Sequence, residues 1–282
     1  MANETTLTTL DDLISPMVAE ALFVASEKSI MRNLVRNYAL PKNSGKVIQV
    51  PIYPVVAAAA VAEATDLGNT AVSTSKADLT VSEVGVMTTV TDMAINTAES
   101  DVVRDLGKLF GEGIARKIDT DLMALFDGFS KVVGGADIAA SAAKIFEAIA
   151  ELRTQGVPNT DLSCVLHPLI AYDLKAGLTN TFANPNSGEV QNEAMRTGYV
   201  GQLGGVSIYE SSNMANTGTA GDYKGALFHK DALGLAMLQD IKIEAQRDAS
   251  IRGTELVATA VYGVGELHDT YGVELQLDSS LA

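Results

Sequence analysis

Histidines, cysteines and close pairs of carboxylates most often carry metal ligation, proton transfer or nucleophilic attack, and here they are few and scattered. The histidines are His167, His229 and His268. None belongs to an HExxH pair or a cysteine–histidine cluster, so each is expected to be a structural or surface side chain. The single cysteine, Cys164, lies in the apolar run LSCVLHP (162–168). A buried, inert thiol is expected there, and no disulfide can form within the chain. Asp119 and Asp121 stand two apart in a helical pattern and so point to different sides. They are expected on a solvated or ion-paired helix face.

Anion-binding patterns are also absent. GYVGQLGG (198–205) lacks the GxGxxG spacing of a dinucleotide turn and a strand directly before it. Gly45-Lys46 is followed by valine, so it is no phosphate-cradling loop. Gly263 and Gly265 alternate inside a strand pattern, where close backbone approach is the simpler account. No GxSxG elbow occurs. No catalytic residue, cofactor site or metal site is therefore expected. One charge feature stands out: Lys28, Arg32, Arg36, Lys42 and Lys46 follow one another with no acid among them. The first three recur every four residues and would share a helix face. A solvated or ion-paired face and contact with nucleic acid or another anionic surface are both open for them.

The whole chain is the reverse, with 35 acids against 20 bases and a formal charge of −15. Such a chain repels polyphosphate at long range, which argues against a protein that wraps nucleic acid. Trp is absent and aromatics make up 5%, so base-stacking platforms are not expected. Val55–Ala62 is the longest uncharged apolar run, far below the roughly 20 residues of a membrane-spanning helix. The polar, acidic start MANETTLTTLDD is unlike a signal peptide. A soluble protein kept in a reducing cytoplasm is expected. Its 282 residues suffice for one large or two small domains.

The elements follow from periodicity. Ser15 can cap and Pro16 can open a helix running to Tyr38. In 45–56, Ile48, Val50 and Ile52 alternate with Gln49, Pro51 and Tyr53, and Pro51 places that strand at an edge. Residues 57–78 have few large side chains. Residues 79–93 are extended again, with apolar parity changing between Leu79/Val81 and Val84/Val86/Val90, as a β-bulge near Ser82 and Glu83 would produce. The stretch 46–93 is thus expected to be one long hairpin. From about Glu99 to Phe129 the apolar residues keep a helical period, predicting a helix near 45 Å long, capped by Thr97 and closed by Gly134-Gly135. A short helix over Ser141–Gln155, a buried strand at 162–168 with a helix after it, and a strand at 205–211 follow. Residues 178–195 and 212–222 are expected to be loops, 224–238 strand, turn and strand, and 240–277 mostly β with a break near Ala249–Gly253.

This layout leaves apolar surface uncovered. A two-stranded hairpin is marginal alone in water and needs a surface to lie on. An arm and a hairpin that one globule cannot cover would be covered by neighbouring copies, each large side chain contributing about 1.5–3 kcal/mol before entropy.

In order, these parts resemble the major capsid protein of tailed bacteriophages, the Hong-Kong-97-like fold, from about Lys28 to Leu277. KSIMRNLVRNYALPKNSGKVIQVPIYP resembles the approach from N-terminal arm into extended loop. Residues 98–130 resemble the spine helix, and LSCVLHPLIAYDL resembles the axial-domain strand, proline and helix. GQLGGVSIYESSNM resembles the strand that returns through that domain. ALFHKDALGLAM with VYGVGELHDTYGVELQL resembles the closing peripheral strands.

The resemblance implies an α+β fold with an N-terminal arm (1–45) and an extended β-hairpin loop (46–93). A peripheral domain (94–136 and 236–282) would hold the spine helix, and 137–235 would form the axial domain. It implies pentamers and hexamers closing into an icosahedral shell around double-stranded DNA, with no sequence-specific binding and no membrane. Contacts between copies would involve Lys28, Arg32 and Arg36 of the arm and Ile48, Val50, Ile52, Val81, Val84 and Val86 of the loop. Fewer than 30 residues precede the matching region, so a separate scaffolding protein is expected, with a portal and, in some members, a cement or decoration protein. Some members cross-link through a loop lysine; Lys76 lies in the loop, but no partner motif matches. A net negative wall would not adhere to packaged DNA. The protein would reside in the virion after assembly in the host cytoplasm. The alternative is an encapsulin-like nanocompartment of the same fold holding an enzyme cargo.

Overall fold

The computed structural model describes residues 18, 21–22, 29–54 except 44, 71–93, 102–181, 202–217 except 215, and 221–281, with single positions between 56 and 69. One four-stranded sheet holds β1 (Arg36–Ala39), β10 (Leu233–Asp248), β11 (Gly253–Glu266) and β4 (Ser82–Thr91), in that order. Its long pair, β10 and β11, sends side chains to both faces and is interrupted by two register shifts between Met237 and Lys242. Leu235, Ile241, Ile243, Leu256, Ala258, Ala260 and Tyr262 bury on the face that receives the long helix α2 (Val102–Met123). Ala236, Leu238 and Val261 point to the other face, where they meet Leu40, Leu79, Val81 and Leu267. Both faces of this sheet are therefore covered.

Helix α2 presents Phe110, Ile114, Ile118 and Leu122 to that core at helical spacing. It ends in a 3-10 turn, Ala124–Gly128. Its 22 described residues run about 33 Å. Positions 94–101, with the expected cap Thr97, lie outside the described residues. Gly134 and Gly135 do not close the helix; they sit inside β5 (Val132–Ala139). Gly134 has φ +102°, and a Cβ there would fall 2.0 Å from the Gln276 carbonyl oxygen of the adjoining strand.

The second sheet has the order β5, β12 (Gly272–Asp278), β9 (Asp222–His229), β6 (Leu162–Leu166), β8 (Val206–Glu210), β7 (Gln202–Leu203). All five residues of β6 are buried, as its unbroken apolar run implies for an interior strand. Helices α3 (Ala142–Thr154) and α4 (Pro168–Thr181) cover it with Ile145, Ile149, Leu152, Ile170 and Leu174. α4 continues through 178–181, where a loop was expected; 182–201 lie outside the described residues. The two sheets share a seam, where Phe126 meets Phe228 with ring centroids 5.5 Å apart and Val165 and Ala226 join the first core.

Two expectations need correction. The helix expected from Ser15 to Tyr38 is only the four-residue α1 (Met31–Leu34) among the residues described from 29 onward. Val35 is extended and Arg36–Ala39 runs parallel to Gly234–Met237 of β10. Tertiary strand pairing and the full burial of Val35 outweigh local helical spacing here. The hairpin is also shorter than 46–93. β2 (Val47–Ile52) pairs with β3 (Ser75–Thr80), but β4 leaves them to pair with β11. The parity change is thus a change of sheet at Val81, whose amide donates to the Lys46 carbonyl at 2.9 Å, and not a bulge.

Because Phe126 is 1% exposed and bridges both sheets, Phe126→Ala should cost about 3–5 kcal/mol. Urea unfolding would show this as a lower midpoint. A variant as stable as the parent would mean the seam is not a cooperative part of the fold.

Candidate functional site

The residues that do something unusual lie where two extended pieces, the N-terminal segment and the β2–β3 hairpin, leave the double-sheeted body. The N-terminal segment is held by Asp119, which is 2% exposed in the middle of α2. The Ser29 hydroxyl donates to its Oδ1 at 2.7 Å, the Ile30 amide to Oδ2 at 3.0 Å and the Met31 amide to Oδ1 at 3.3 Å. Asp119 thus receives the chain where it turns into α1, and burial pushes its carboxyl above the usual range. The expectation of a solvated or ion-paired helix face fails for Asp119. Asp121, one face away, does behave so, accepting from Lys117 Nζ at 2.6 Å and from the Tyr262 hydroxyl at 2.7 Å. Eight residues further toward the N-terminus on both segments, the Ala21 carbonyl oxygen lies only 2.4 Å from where a Cβ on Gly111 of α2 would be.

Arg32 and Arg36 do not form a stripe, because Arg36 is in a strand. Arg32 Nη2 meets Asp240 Oδ2 at 3.3 Å and the Met237 sulfur at 3.4 Å. Arg36 Nη1 meets Asp231 Oδ1 at 2.6 Å, and this partner holds the guanidinium pKa up. Both bases are therefore ion-paired within their own chain. Lys28 lies outside the described residues. An open cleft of about 440 Å3 runs beside β1, lined by Arg32, Tyr38, Leu40, Leu235, Met237 and Asp240 among others.

The hairpin root rests on glycine. Leu79 is fully buried, and its methyls lie 3.1 Å from a Cβ position on Gly234 and 2.6 Å from one on Gly265. The Thr80 carbonyl oxygen lies 2.2 Å from the Cβ position of Gly263. These glycines face the hairpin side of β10 and β11, so their missing side chains make the bed on which β3 crosses the sheet. Close backbone approach was the expected purpose of Gly263 and Gly265, and that is what the structure has.

The expected contact residues divide by burial. Val81 is 6% exposed; Ile48 and Val50 pack half-buried against the Leu79 cluster. Val84 packs against the larger core, and Ile52 is half-buried. Val86 is exposed at 39%. Beyond β2, every described residue from 53 to 76 is exposed, including Tyr53, Val56 and Val72.

The reactive side chains are set apart from this region or satisfied. Cys164 is fully buried, and burial pushes its thiol well up. His167 stacks on Tyr223 with centroids 3.7 Å apart, and burial lowers its pKa. His229 and His268, distant in sequence, both touch Tyr271, edge-on at 5.7 Å and stacked at 4.8 Å. His229 Nδ1 accepts the Asp231 amide at 3.1 Å. Among the described residues no group of three or more histidine, cysteine or acidic side chains could hold a metal ion. Gly204 and Gly205, with φ of +63° and +89°, make the tight β7–β8 turn rather than a nucleotide cradle.

A phage capsid protein family model matches residues 74–273, which spans α2, every strand from β3 to β11 and the first two residues of β12. The chain belongs to the phage capsid protein family. Solved structures agree on the fold. The capsid of cyanophage P-SCSP1u is 20% identical with a TM-score of 0.72, and 89% of each chain is covered. Mycobacterium phage Che8 is 21% identical with a TM-score of 0.69, over 88% of this chain and 90% of that one. The head of Helicobacter pylori bacteriophage KHP40 is 12% identical with a TM-score of 0.72, over 90% and 92%. No curated protein matches in sequence. The protein is a structural major capsid protein of the Hong-Kong-97-like fold, a component of the virion shell.

Three outcomes test this site. Asp119→Ala strips the acceptor from one hydroxyl and two amides, so it should cost about 1–3 kcal/mol and open residues 29–35 to limited proteolysis. Gly263→Val should cost at least as much as Leu79→Ala, about 2–5 kcal/mol by urea unfolding, because a side chain there collides with the Thr80 backbone. Asp119 also gives a pH signature. Its native carboxyl holds its proton more tightly than in the unfolded chain, so its contribution is complete below about pH 4 and declines as pH rises through the native value. Asp119→Asn should remove that decline; parallel stability–pH curves for the two proteins would refute it.

Proposed function

We propose that this protein assembles as pentamers and hexamers into an icosahedral shell that encloses double-stranded DNA. The observation that carries this is the exposed loop. From 53 to 76 each described residue faces solvent, although Tyr53, Val56, Val61 and Val72 are large and apolar. Leu109, at 61% exposed, stands on the outer side of the spine helix. Apolar groups presented in this way on both the loop and the helix fit a surface that neighbouring copies cover. Val47, Tyr53 and Val86 supply outward contacts, while Ile48, Val50, Val81 and Val84 fix the loop root from which those contacts project. Ile52 lies between the two roles. Arg32 and Arg36 hold the arm to its own body and thereby aim it, with Lys28 continuing the arm toward a neighbour.

The chain has no role in catalysis and needs no cofactor. Its charge of −15 keeps the wall from adhering to packaged DNA. Assembly uses a separate scaffolding protein and a portal, and some shells of this kind add a cement protein. No membrane takes part, and assembly takes place in the host cytoplasm.

Expression of the chain with and without a candidate scaffolding protein, followed by negative-stain electron microscopy, tests this. Closed shells of uniform size are expected only with the scaffold. Uniform shells without it would overturn the scaffold requirement, and a monomer under both conditions would overturn the shell. Purified particles that contain an enzyme and no DNA would favour a nanocompartment instead.

A further inference from the structure

Free strand edges are templates for pairing with another chain, and proteins usually blunt them with prolines, charges, irregularity or brevity. The described edges of this protein are blunted, with one exception. β1 has four residues, begins with Arg36 and is followed by Pro41. β2 contains Pro51, and β3 carries Lys76 and Asp78, 3.6 Å apart. β5 is broken by Gly134, Gly135 and a left-handed Asp137 with φ +61°. β7 has two residues. The part of β10 that runs past β1 carries Lys242, Glu244, Arg247 and Asp248.

β4 is the exception. It is ten residues long, SEVGVMTTVT, has no proline or base, and has one charge, Glu83, near its start. It pairs with β11 in unbroken register on one side and ends the sheet on the other. At its middle Val86 is 39% and Met87 59% exposed. α2 lies across β4, β11 and β10 on one face, and β3 crosses β11 and β10 on the other, so both coverings lie over the sheet itself.

We propose that two copies of this chain join β4 to β4, antiparallel, about a local two-fold axis through Val86, making one eight-stranded sheet across the contact. This rests on the shell assembly proposed above and names one of its contacts. The sequence of β4 is self-complementary in that register. Val86 faces its own copy, Val84 faces Thr88, and Met87 lies over the partner's Gly85, where no side chain competes. Glu83 faces Thr89, so the two carboxylates stay apart. Directly opposed residues on antiparallel strands point to the same side, and this register satisfies that rule at each position. A second copy is the occupant that charge selects. Chains of charge −15 repel each other, and this is a long edge along which two of them meet without opposing like charges. A partner recognised by charge would find almost none here.

The test is a single cysteine at the axis. Facing residues of an antiparallel pair have Cα atoms about 4.5–5.5 Å apart, within disulfide range. Val86→Cys particles, oxidised and run on a non-reducing gel, should give a dimer band; the parent chain, with only buried Cys164, should not. Shells that form normally but give no dimer band would overturn the β4 pairing while leaving the shell intact. Absence of shells from the parent chain, with the dimer band present in solution, would overturn the shell and support the pairing. Val86→Lys and Val86→Glu provide a second arm, with thermal unfolding to show that each folds. Each alone should weaken association roughly tenfold, because like charges then face each other at the axis. An equal mixture should restore it, and a mixture no better than either variant would overturn the two-fold contact.

Discussion

One main chain laid directly on another determines the shape of this molecule. Thr80 crosses β11 at Gly263 with its carbonyl oxygen where a Cβ would stand, and Leu79 fills the space left by Gly234 and Gly265. Any side chain at these positions would lift the loop root from the sheet. A hairpin with no core of its own thereby gains a fixed direction of exit, because its last residues belong to the buried layer of the body. Val81 completes the arrangement by closing the hairpin through Lys46 just as the chain changes sheets. A loop aimed in this way can present apolar groups at a set distance and angle without being packed itself.

The N-terminal segment is anchored by different chemistry to the same end. Asp119 places a carboxylate inside the helix layer and lets two amides and a hydroxyl converge on it. Leaving such donors without an acceptor in a buried setting is costly, so the segment has one favourable way to enter the fold. Arg36 and Asp231 then tie the edge strand β1 to the turn between β9 and β10. Arg247 and Asp92 likewise clamp the end of β4 through two hydrogen bonds of 2.5 and 2.6 Å. Arg32 and Arg36 thus serve the chain that carries them.

Much of the layout was legible in the residues. The period of α2 from Leu106 to Leu122, the apolar run of β6, the alternation of Ile48, Val50 and Ile52, and the break between β10 and β11 each reflect a local pattern that survives in the fold. Gly263 and Gly265 announced a close approach because glycine weakens a strand unless something must come near. Less legible was any feature decided by a partner far away in sequence. Tyr38 and Arg36 fit a helix as well as a strand until β10 offers four residues to pair with. The parity change after Val81 fits a bulge as well as a change of sheet until β11 is known to lie beside β4. Asp119 and Asp121 are the same residue type two positions apart, and only the approach of Ser29 distinguishes the buried one from the exposed one.

By itself the sequence determined much of the inventory: the long helix and most of the strands, which face of each is apolar, and that a long loop lacks the side chains for a private core. Those follow from short-range periodicity and composition, which every residue carries with it. The tertiary structure alone decided which element lies against which, and so where the loop and the arm are anchored, which carboxylate is buried and which strand edge stays bare. Each of these depends on contacts between positions tens to hundreds of residues apart, such as Ser29 with Asp119 and Leu79 with Gly234. A local pattern records that an apolar or polar group needs a partner; only the folded chain supplies the partner's identity.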